Sequence, residues 1–342
     1  MKKSDSILVT GGAGFIGSHL VDHLIKKGYK NISVIDDLSG GFKRNLNTHA
    51  TFFKCDLRNV KKTAEIIEKI KPILVYHLAA NAAENKAQFS PIDITSRNYN
   101  AFLNTLVPAL RNGMKRIVVT SSIAVYGAIK PPFKETDRPE PEDLYGLSKL
   151  QMEETLKILS RVHNFEYVIT RPHNVYGPRQ NMTDPYRNVI TIFMNALLRG
   201  QAYFIYGDGT QRRCFSYIDE VVQALMKCGL KDVAGKIFNI GADKDYSLNE
   251  LSDMIQKVSG VHIPPLHISD RPQEVKVAIS DHTLAKNVLE YKDSTSLENG
   301  LLATWKYAKK CGYQKPKYTE VELENEKMPA NWLRSDRSRR KR

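Results

Sequence analysis

The stretch Thr10 to Leu20, TGGAGFIGSHL, decides the fold. It follows the apolar run Ile7-Leu8-Val9 and opens an amphipathic segment, so it reads as a strand, a tight turn and a helix. Gly11, Gly14 and Gly17 are spaced G-x-x-G-x-x-G. Missing side chains at those points let the chain turn sharply, let a pyrophosphate approach the backbone and let the helix pack on its strand. Free backbone N–H groups and the positive end of the helix dipole then face the anion. A glycine-rich turn alone is common; its surroundings make it a dinucleotide site. A second strand, Ile32-Ser33-Val34-Ile35, ends in Asp36. A carboxylate there accepts hydrogen bonds from both ribose hydroxyls of adenosine and repels a 2′-phosphate, so the expected cofactor is NAD rather than NADP.

Outward from this turn, apolar strands alternate with helical stretches, the pattern of a parallel sheet covered on both faces. Further strands are expected at Thr51 to Lys54, Ile73 to His77, Arg116 to Thr120 and Tyr167 to Thr170, with helices near Lys61 to Ile70, Ser96 to Asn112 and Tyr145 to His163. Past Pro172 the regularity loosens into a Gly-, Pro- and Asn-rich loop, Gly177 to Asn188, followed by a helix from Val189 to Arg199. Ser247-x-x-Glu250 and Thr295-x-x-Glu298 read as capping boxes that start two more helices. The organisation predicted is a dinucleotide-binding domain over 1–174, a smaller substrate-binding lobe over 175–312, from which Lys236 to Ile240 returns to the sheet, and a C-terminal extension over 313–342, disordered at its basic end.

Tyr145-x-x-x-Lys149 opens a helix, so the two side chains lie one turn apart on one face. That face continues through Met152, Leu156 and Leu159 and points inward. A buried lysine needs a reason. An ammonium at about 5 Å favours a phenolate by roughly 3 kcal/mol, about 2 pKa units, at an effective dielectric near 20. Tyr145 is thereby expected to be lowered toward 8 and to act as a general base.

Composition sets the class. At 342 residues, 42% hydrophobic and 26% charged, the chain is long enough for a large core and ordinary for a globular protein. No apolar run approaches a membrane span of about 20 residues, and no secretion signal is apparent, so the expected location is the cytoplasm. The four cysteines, Cys55, Cys214, Cys228 and Cys311, show no C-x-x-C pair; neither a metal site nor a disulfide framework is expected. The net charge is +14, and the last ten residues alone hold six basic side chains against Asp336. That tail reads as a solvated extension rather than a nucleic-acid arm.

TGGAGFIG, the strand end Ser121-Ser122 running on to Val125-Tyr126-Gly127, and Tyr145-x-x-x-Lys149 together resemble the extended short-chain dehydrogenase/reductase family. RPHNVYGP (Arg171 to Pro178) and GDGTQRRCFSYIDE (Gly207 to Glu220) are similar to its nucleotide-sugar epimerases, closest to UDP-glucose 4-epimerases. The resemblance runs from Ile7 to Trp305. It implies an α/β fold of Rossmann type, a doubly wound parallel sheet with a smaller C-terminal lobe. It implies a catalytic set of Ser122, Tyr145 and Lys149, with Ser122 and Tyr145 at the sugar's 4-oxygen and Lys149 on the nicotinamide ribose. NAD contacts are implied at Gly11, Gly14, Phe15, Ile16, Gly17, Asp36, Asp37, Leu38, Ser39, Gly40, Asp56, Leu57, Leu78, Ala79, Ala80, Asn98 and Pro172 besides Tyr145 and Lys149. Asn174, Asn188, Val189, Tyr206, Arg213, Arg271, Glu274 and Ala278 are implied, with Ser122, on the UDP-sugar. Two arginines suit a diphosphate because each can bind it bidentately.

Related dehydratases and decarboxylases carry acids just past the catalytic hydroxyl residue, where this chain has Ile123 and Ala124. The expectation is therefore oxidation and re-reduction at C4 of a UDP-hexose. Alternatives are a UDP-glucuronate 4-epimerase, a nucleotide-sugar oxidoreductase, which would need exchangeable NADPH, and a non-catalytic NAD sensor. Asn81, Glu84 and His173 are polar pocket candidates without a role. Ala278, or Ile279 if the alignment slips, lacks the aromatic ring that would exclude an N-acetyl group. The resemblance also implies a homodimer through the Ser96 to Asn112 and Tyr145 to His163 helices.

Overall fold

The structure, a computed structural model, describes residues 1–270 and 275–329. Six strands, β1 (Ile7–Thr10), β2 (Ile32–Asp36), β3 (Thr51–Lys54), β4 (Leu74–His77), β5 (Arg116–Thr120) and β6 (Glu166–Pro172), form one parallel sheet in the order 3-2-1-4-5-6. The strand Ile237–Ile240 returns to pair with β6 and adds a seventh, also parallel. Strand order reverses between β1 and β4, which opens a crevice beyond their carboxyl ends.

β1 and β2 are buried along their whole length, as the continuous apolar run of a parallel sheet covered on both faces requires. On one face lie the helices Phe15–Lys26 and Ile218–Leu230, whose Leu20, Val21, Leu24, Val221 and Leu225 pack with Ile7, Val9 and Val34. On the other lie Val60–Ile70, Ala101–Arg111 and Leu144–His163, with Leu106, Met152 and Leu156 packed on Leu8, Val75 and Val119. The smaller lobe has its own core, in which helices Val189–Leu198, Leu248–Ser259 and Leu297–Cys311 enclose Tyr203, Ile205 and Phe215.

Two local expectations are corrected. The segment before Ala101–Arg111 is not one even helix: Ser96–Asn100 is a π-helical turn, a wider coil in which Asn98 is buried. The last long helix is capped not by Thr295 but by Ser296, whose hydroxyl accepts the Asn299 N–H at 3.3 Å; the Thr295 N–H, which a capping box would give to Glu298, donates to the Glu220 carboxylate instead. The capping box at Ser247 and Glu250 is formed.

Candidate active site

The crevice is a cleft of about 2390 Å³ between the sheet and the smaller lobe. At its floor the glycine turn is made by backbone. Gly11 has φ +71°, and a Cβ there would meet the Ala79 nitrogen at 2.8 Å, so the ends of β1 and β4 can approach only through glycine. A Cβ on Gly17 would collide with the Gly11 carbonyl. Gly14 is the N-cap of helix Phe15–Lys26 with no side chain capping it, which leaves the helix end open toward the cleft.

Two side chains brace this turn. Asp36, at the end of β2, accepts the Ala13 N–H at 3.0 Å and the Leu38 N–H at 2.8 Å. Burial raises its carboxyl above the ordinary value, against the pull of those amides. Thr10 Oγ1 accepts the amides of Leu78 and Ala79, both at 3.2 Å, and bonds His77 Nδ1 at 3.0 Å. Thr10 therefore holds the backbone of the crevice wall, a role its place in the motif did not reveal. His77 is held neutral, its pKa pulled down to about 3 by burial and by the Lys149 charge.

Phe15, Ile16, Asp37, Ser39, Gly40, Asp56, Leu57, Leu78, Ala79, Ala80 and Pro172 also line the cleft. Arg58 grips Asp56, with Nη2 to Oδ2 at 2.6 Å, and holds its carboxyl below the ordinary value. Leu38 and Asn98 do not line the cleft. Leu38 serves through its backbone, at φ +65°. Asn98 is fully buried, and its amide accepts from the Asn81 N–H at 2.8 Å and donates to the Asn81 carbonyl at 3.2 Å; it supports the wall rather than forming it.

Ser122, Tyr145 and Lys149 converge on the cleft. Ser122 follows β5, and its hydroxyl accepts the Ala124 N–H at 3.1 Å and bonds the Tyr145 phenol. Asp143 caps the helix that carries Tyr145 and Lys149. Lys149 is buried and donates to the Thr120 carbonyl at 2.7 Å. Burial pulls its pKa down to about 7, with the Glu153 carboxylate opposing.

The expected lowering of Tyr145 is overturned. Burial pushes the phenol above its ordinary value and the Glu84 carboxylate adds to this, while the Ser122 hydrogen bond and the Arg187 charge pull the other way. The lysine stands 5.7 Å from the ring centre with a proton directed at Thr120, and desolvation of the phenolate outweighs what it gives.

The VYG and RP motifs turn out to frame the site. Buried Glu153 accepts from the Ser121 hydroxyl at 2.5 Å and from Arg171 at 2.9 and 2.6 Å; Arg171 also donates to the Tyr126 hydroxyl at 2.7 Å, which donates to Asn239 at 2.8 Å. A fully buried pair of this kind costs about 3–5 kcal/mol to break on one side.

At the far end of the cleft stand Asn174, Asn188, Val189, Tyr206, Arg213 and Ala278. Asn174 and Asn188 both take positive φ, 34° and 65°. Arg213 donates to the Arg212 carbonyl at 2.9 Å and the Val275 carbonyl at 2.5 Å. Ala278 pairs with Arg213 in register and packs with Val125, Tyr126 and Phe133. Ala278, not Ile279, lines the cleft. Arg271 and Glu274 lie outside the described residues. His173 is buried away from the cleft beside Ser280 and His282.

Asn81 and Glu84 line the cleft, as do residues the motifs did not mark: Lys86, Tyr186, Arg187 and most of the run from Tyr313 to Pro329. Their only sequence signals are the irregular loop that carries Tyr186 and Arg187 and the unexplained length beyond the last helix. Among the described residues no group of three or more His, Cys, Asp or Glu could hold a metal ion, and no helix is long and apolar enough to cross a membrane.

Residues 7–241 match the model of the NAD-dependent epimerase/dehydratase family. The chain belongs to that family. A UDP-glucose 4-epimerase of Thermotoga maritima, solved with UDP-glucose, is 35% identical, covers 90% of this chain and 99% of its own, and superposes with a TM-score of 0.84. A UDP-N-acetylglucosamine 4-epimerase of Methanobrevibacter ruminantium, solved with UDP-N-acetylmuramic acid, is 32% identical over 91% of this chain and 100% of its own, at a TM-score of 0.84. A UDP-N-acetyl-alpha-D-glucosaminuronate decarboxylase of Bacillus cytotoxicus is 31% identical over 315 residues, 87% of this chain and 95% of the relative. The protein is an NAD-dependent enzyme of the UDP-sugar epimerase/dehydratase group. Its crevice fits the cofactor: Gly11 and Gly17 let the turn close tightly on the ends of β1 and β4 and on the helix, the helix end is open, and Asp36 stands at the end of β2.

Proposed function

We propose that this enzyme is a UDP-hexose 4-epimerase that interconverts UDP-glucose and UDP-galactose, and their N-acetylated counterparts, through a 4-keto sugar. The observation that carries the reading is the Ser122–Tyr145 pair at the cleft wall, followed there by apolar Ile123 and Ala124. Those two positions supply neither acid nor base for eliminating water or losing a carboxyl group.

In this reading Gly11, Gly14 and Gly17 hold the pyrophosphate of NAD, Asp36 its adenosine ribose and Lys149 its nicotinamide ribose. Bound NAD supplies reversible hydride acceptance beside Tyr145. Tyr145 takes the proton of the 4-hydroxyl while Ser122 holds the oxygen; it returns the proton when the sugar, turned about its diphosphate, is reduced on the other face. Tyr206 and Arg213 keep the UDP part in place throughout, Arg213 as the cation against the diphosphate.

A UDP-glucuronate 4-epimerase is the second reading. Arg187 favours it, since its charge reaches Tyr145 and would suit a uronate carboxylate. The test is to incubate the NAD-loaded protein separately with UDP-glucose, UDP-N-acetylglucosamine and UDP-glucuronate, without added cofactor, and to look for inversion at C4. Inversion of UDP-glucuronate alone would move the assignment to the second reading, and release of a reduced or decarboxylated sugar would end both.

The same proposal includes a homodimer. On helices Ala101–Arg111 and Leu144–His163, Val107, Leu147, Ile158 and Val162 are exposed, Val162 by 73%. These exposed apolar side chains on the two helices support that reading.

A further inference from the structure

Residues 313–329 contain neither helix nor strand, yet they span the mouth of the cleft from the smaller lobe to the sheet side. The run leaves helix Leu297–Cys311 through Gly312, at φ +67°. Its root is fixed to the smaller lobe, where the Asn195 side chain donates to the Gln314 carbonyl at 2.7 Å and accepts its N–H at 2.9 Å. Next the Lys317 N–H donates to the Thr183 carbonyl at 2.7 Å.

Thr319 then meets two residues of the cleft wall. Its N–H donates to the Tyr186 hydroxyl at 2.9 Å, its carbonyl accepts from that hydroxyl at 3.0 Å, and its own hydroxyl accepts from Lys86 Nζ at 2.7 Å. On the sheet side the amides of Glu322 and Leu323 donate to the Phe89 carbonyl at 2.8 and 3.0 Å. The Glu322 carboxylate accepts the amides of Ile92 and Asp93, both at 2.8 Å. Finally Met328, 5% exposed, packs into the apolar cluster of Ala83, Phe89, Ile94 and Tyr186 that holds the ring of Tyr145.

Closure of this run therefore ends in the apolar cluster to which Tyr145 belongs. The attachments are discrete polar bonds to side chains and loop carbonyls, and beyond its root only Met328 is buried. Such a segment belongs to the low-stability end of a fold, where opening is local.

We propose that residues 313–329 are a strap belonging to the active site: closed, it seals the sugar end with Met328 against the Tyr145 cluster; lifted, it admits and releases the nucleotide sugar. This rests on reading the cleft as a UDP-sugar site. Met328 is then a positioning residue, acting on the substrate through the packing of Tyr145. The strap also retains the sugar between half-reactions. After C4 has given its hydride to NAD and its hydroxyl proton to Tyr145, a 4-ketose that escapes leaves the cofactor reduced.

The test is hydrogen exchange of the full-length, NAD-loaded chain, alone, with UDP and with UDP-glucose, in wild type, Glu322→Ala and Met328→Ser. In wild type both ligands slow exchange over 204–214, and UDP-glucose slows the amides of 319–323 by about tenfold. In each variant the ligand-free strap exchanges about tenfold faster while 204–214 keeps its wild-type rate, and reduced nicotinamide builds up faster under UDP-glucose. The proposal is overturned if UDP-glucose protects 204–214 but leaves 319–323 within about twofold in all three proteins. Protection of neither segment would overturn the UDP-sugar reading, and the strap with it.

Discussion

The two ends of the cleft are built on different principles. At the cofactor end the wall is backbone: a turn whose glycines exclude side chains, an open helix terminus, and strand ends held by Thr10 and Asp36. At the sugar end the wall is side chains from segments far apart in sequence. Ser122 and Tyr145 come from the sheet domain, Arg213 and Ala278 from a three-stranded sheet of the smaller lobe, and Met328 from the strap. A backbone wall accepts one kind of ligand and is hard to retune. A wall of side chains is open to replacement one residue at a time, which is how relatives named for different UDP-sugars share one superposable fold.

The difference predicts separable failures. Tyr145→Phe keeps the ring in its cluster and removes only the proton carrier, so NAD binding is expected to be unchanged while turnover falls by about 10²–10⁴-fold. Retention of more than about a tenth of the rate, measured with UDP-glucose, would remove Tyr145 from the acid–base role. Gly17→Ala is the mirror experiment. Its methyl group meets the Gly11 carbonyl and the Gly12 backbone, which cannot move aside as a flexible side chain would. Overpacking of this kind costs about 1–3 kcal/mol, and we expect it to appear as weakened NAD affinity, with UDP affinity measured calorimetrically in the NAD-free protein left as it was.

The same contrast explains what could be read in advance. The glycine spacing, the strand periodicity and the Tyr145-x-x-x-Lys149 spacing are local, so they stand in the sequence as they stand in the fold. Thr10 and Asn98 act by bonding backbone from another element, and nothing in their neighbours says so. Asn98 in particular is buried within a π-helical turn that a regular helical period does not anticipate. The strap is harder still. Thr319 and Lys86 are 233 residues apart, and a run without periodicity carries no sign of where it docks. The basic end of the C-terminal extension, from 330 onward, lies outside the described residues. The phenol pKa departs from the expectation for a related reason: the neighbouring lysine is legible in the sequence, the depth of burial is not.

Ala278→Tyr sharpens the sugar end. Ala278 lies beside Arg213 and against Tyr126 and Phe133, where an aromatic ring would enter the cleft. We expect kcat/KM for UDP-N-acetylgalactosamine to fall by about 10–200-fold relative to UDP-galactose, the range of a steric change in a small pocket. A wild type that already discriminates more strongly than that would show the pocket to be closed by another residue.

The smallest expected effect isolates charge from shape. Glu84 lines the cleft, and its carboxylate raises Tyr145 by disfavouring the phenolate. Glu84→Gln keeps the size of the side chain and removes the charge, so the folded-state pKa of the phenol must fall. A base is active when deprotonated, hence the acid limb of the kcat profile is expected to move to lower pH. Arg187→Gln removes a cation that lowers the same pKa, so it is expected to move that limb the opposite way. Opposite displacements in the two variants, with the rate on the alkaline plateau preserved, identify Tyr145 as the titrating group. No displacement in either variant would place the titration on another residue, with Lys149, near 7 and shifted by burial and Glu153 alone, the next to test.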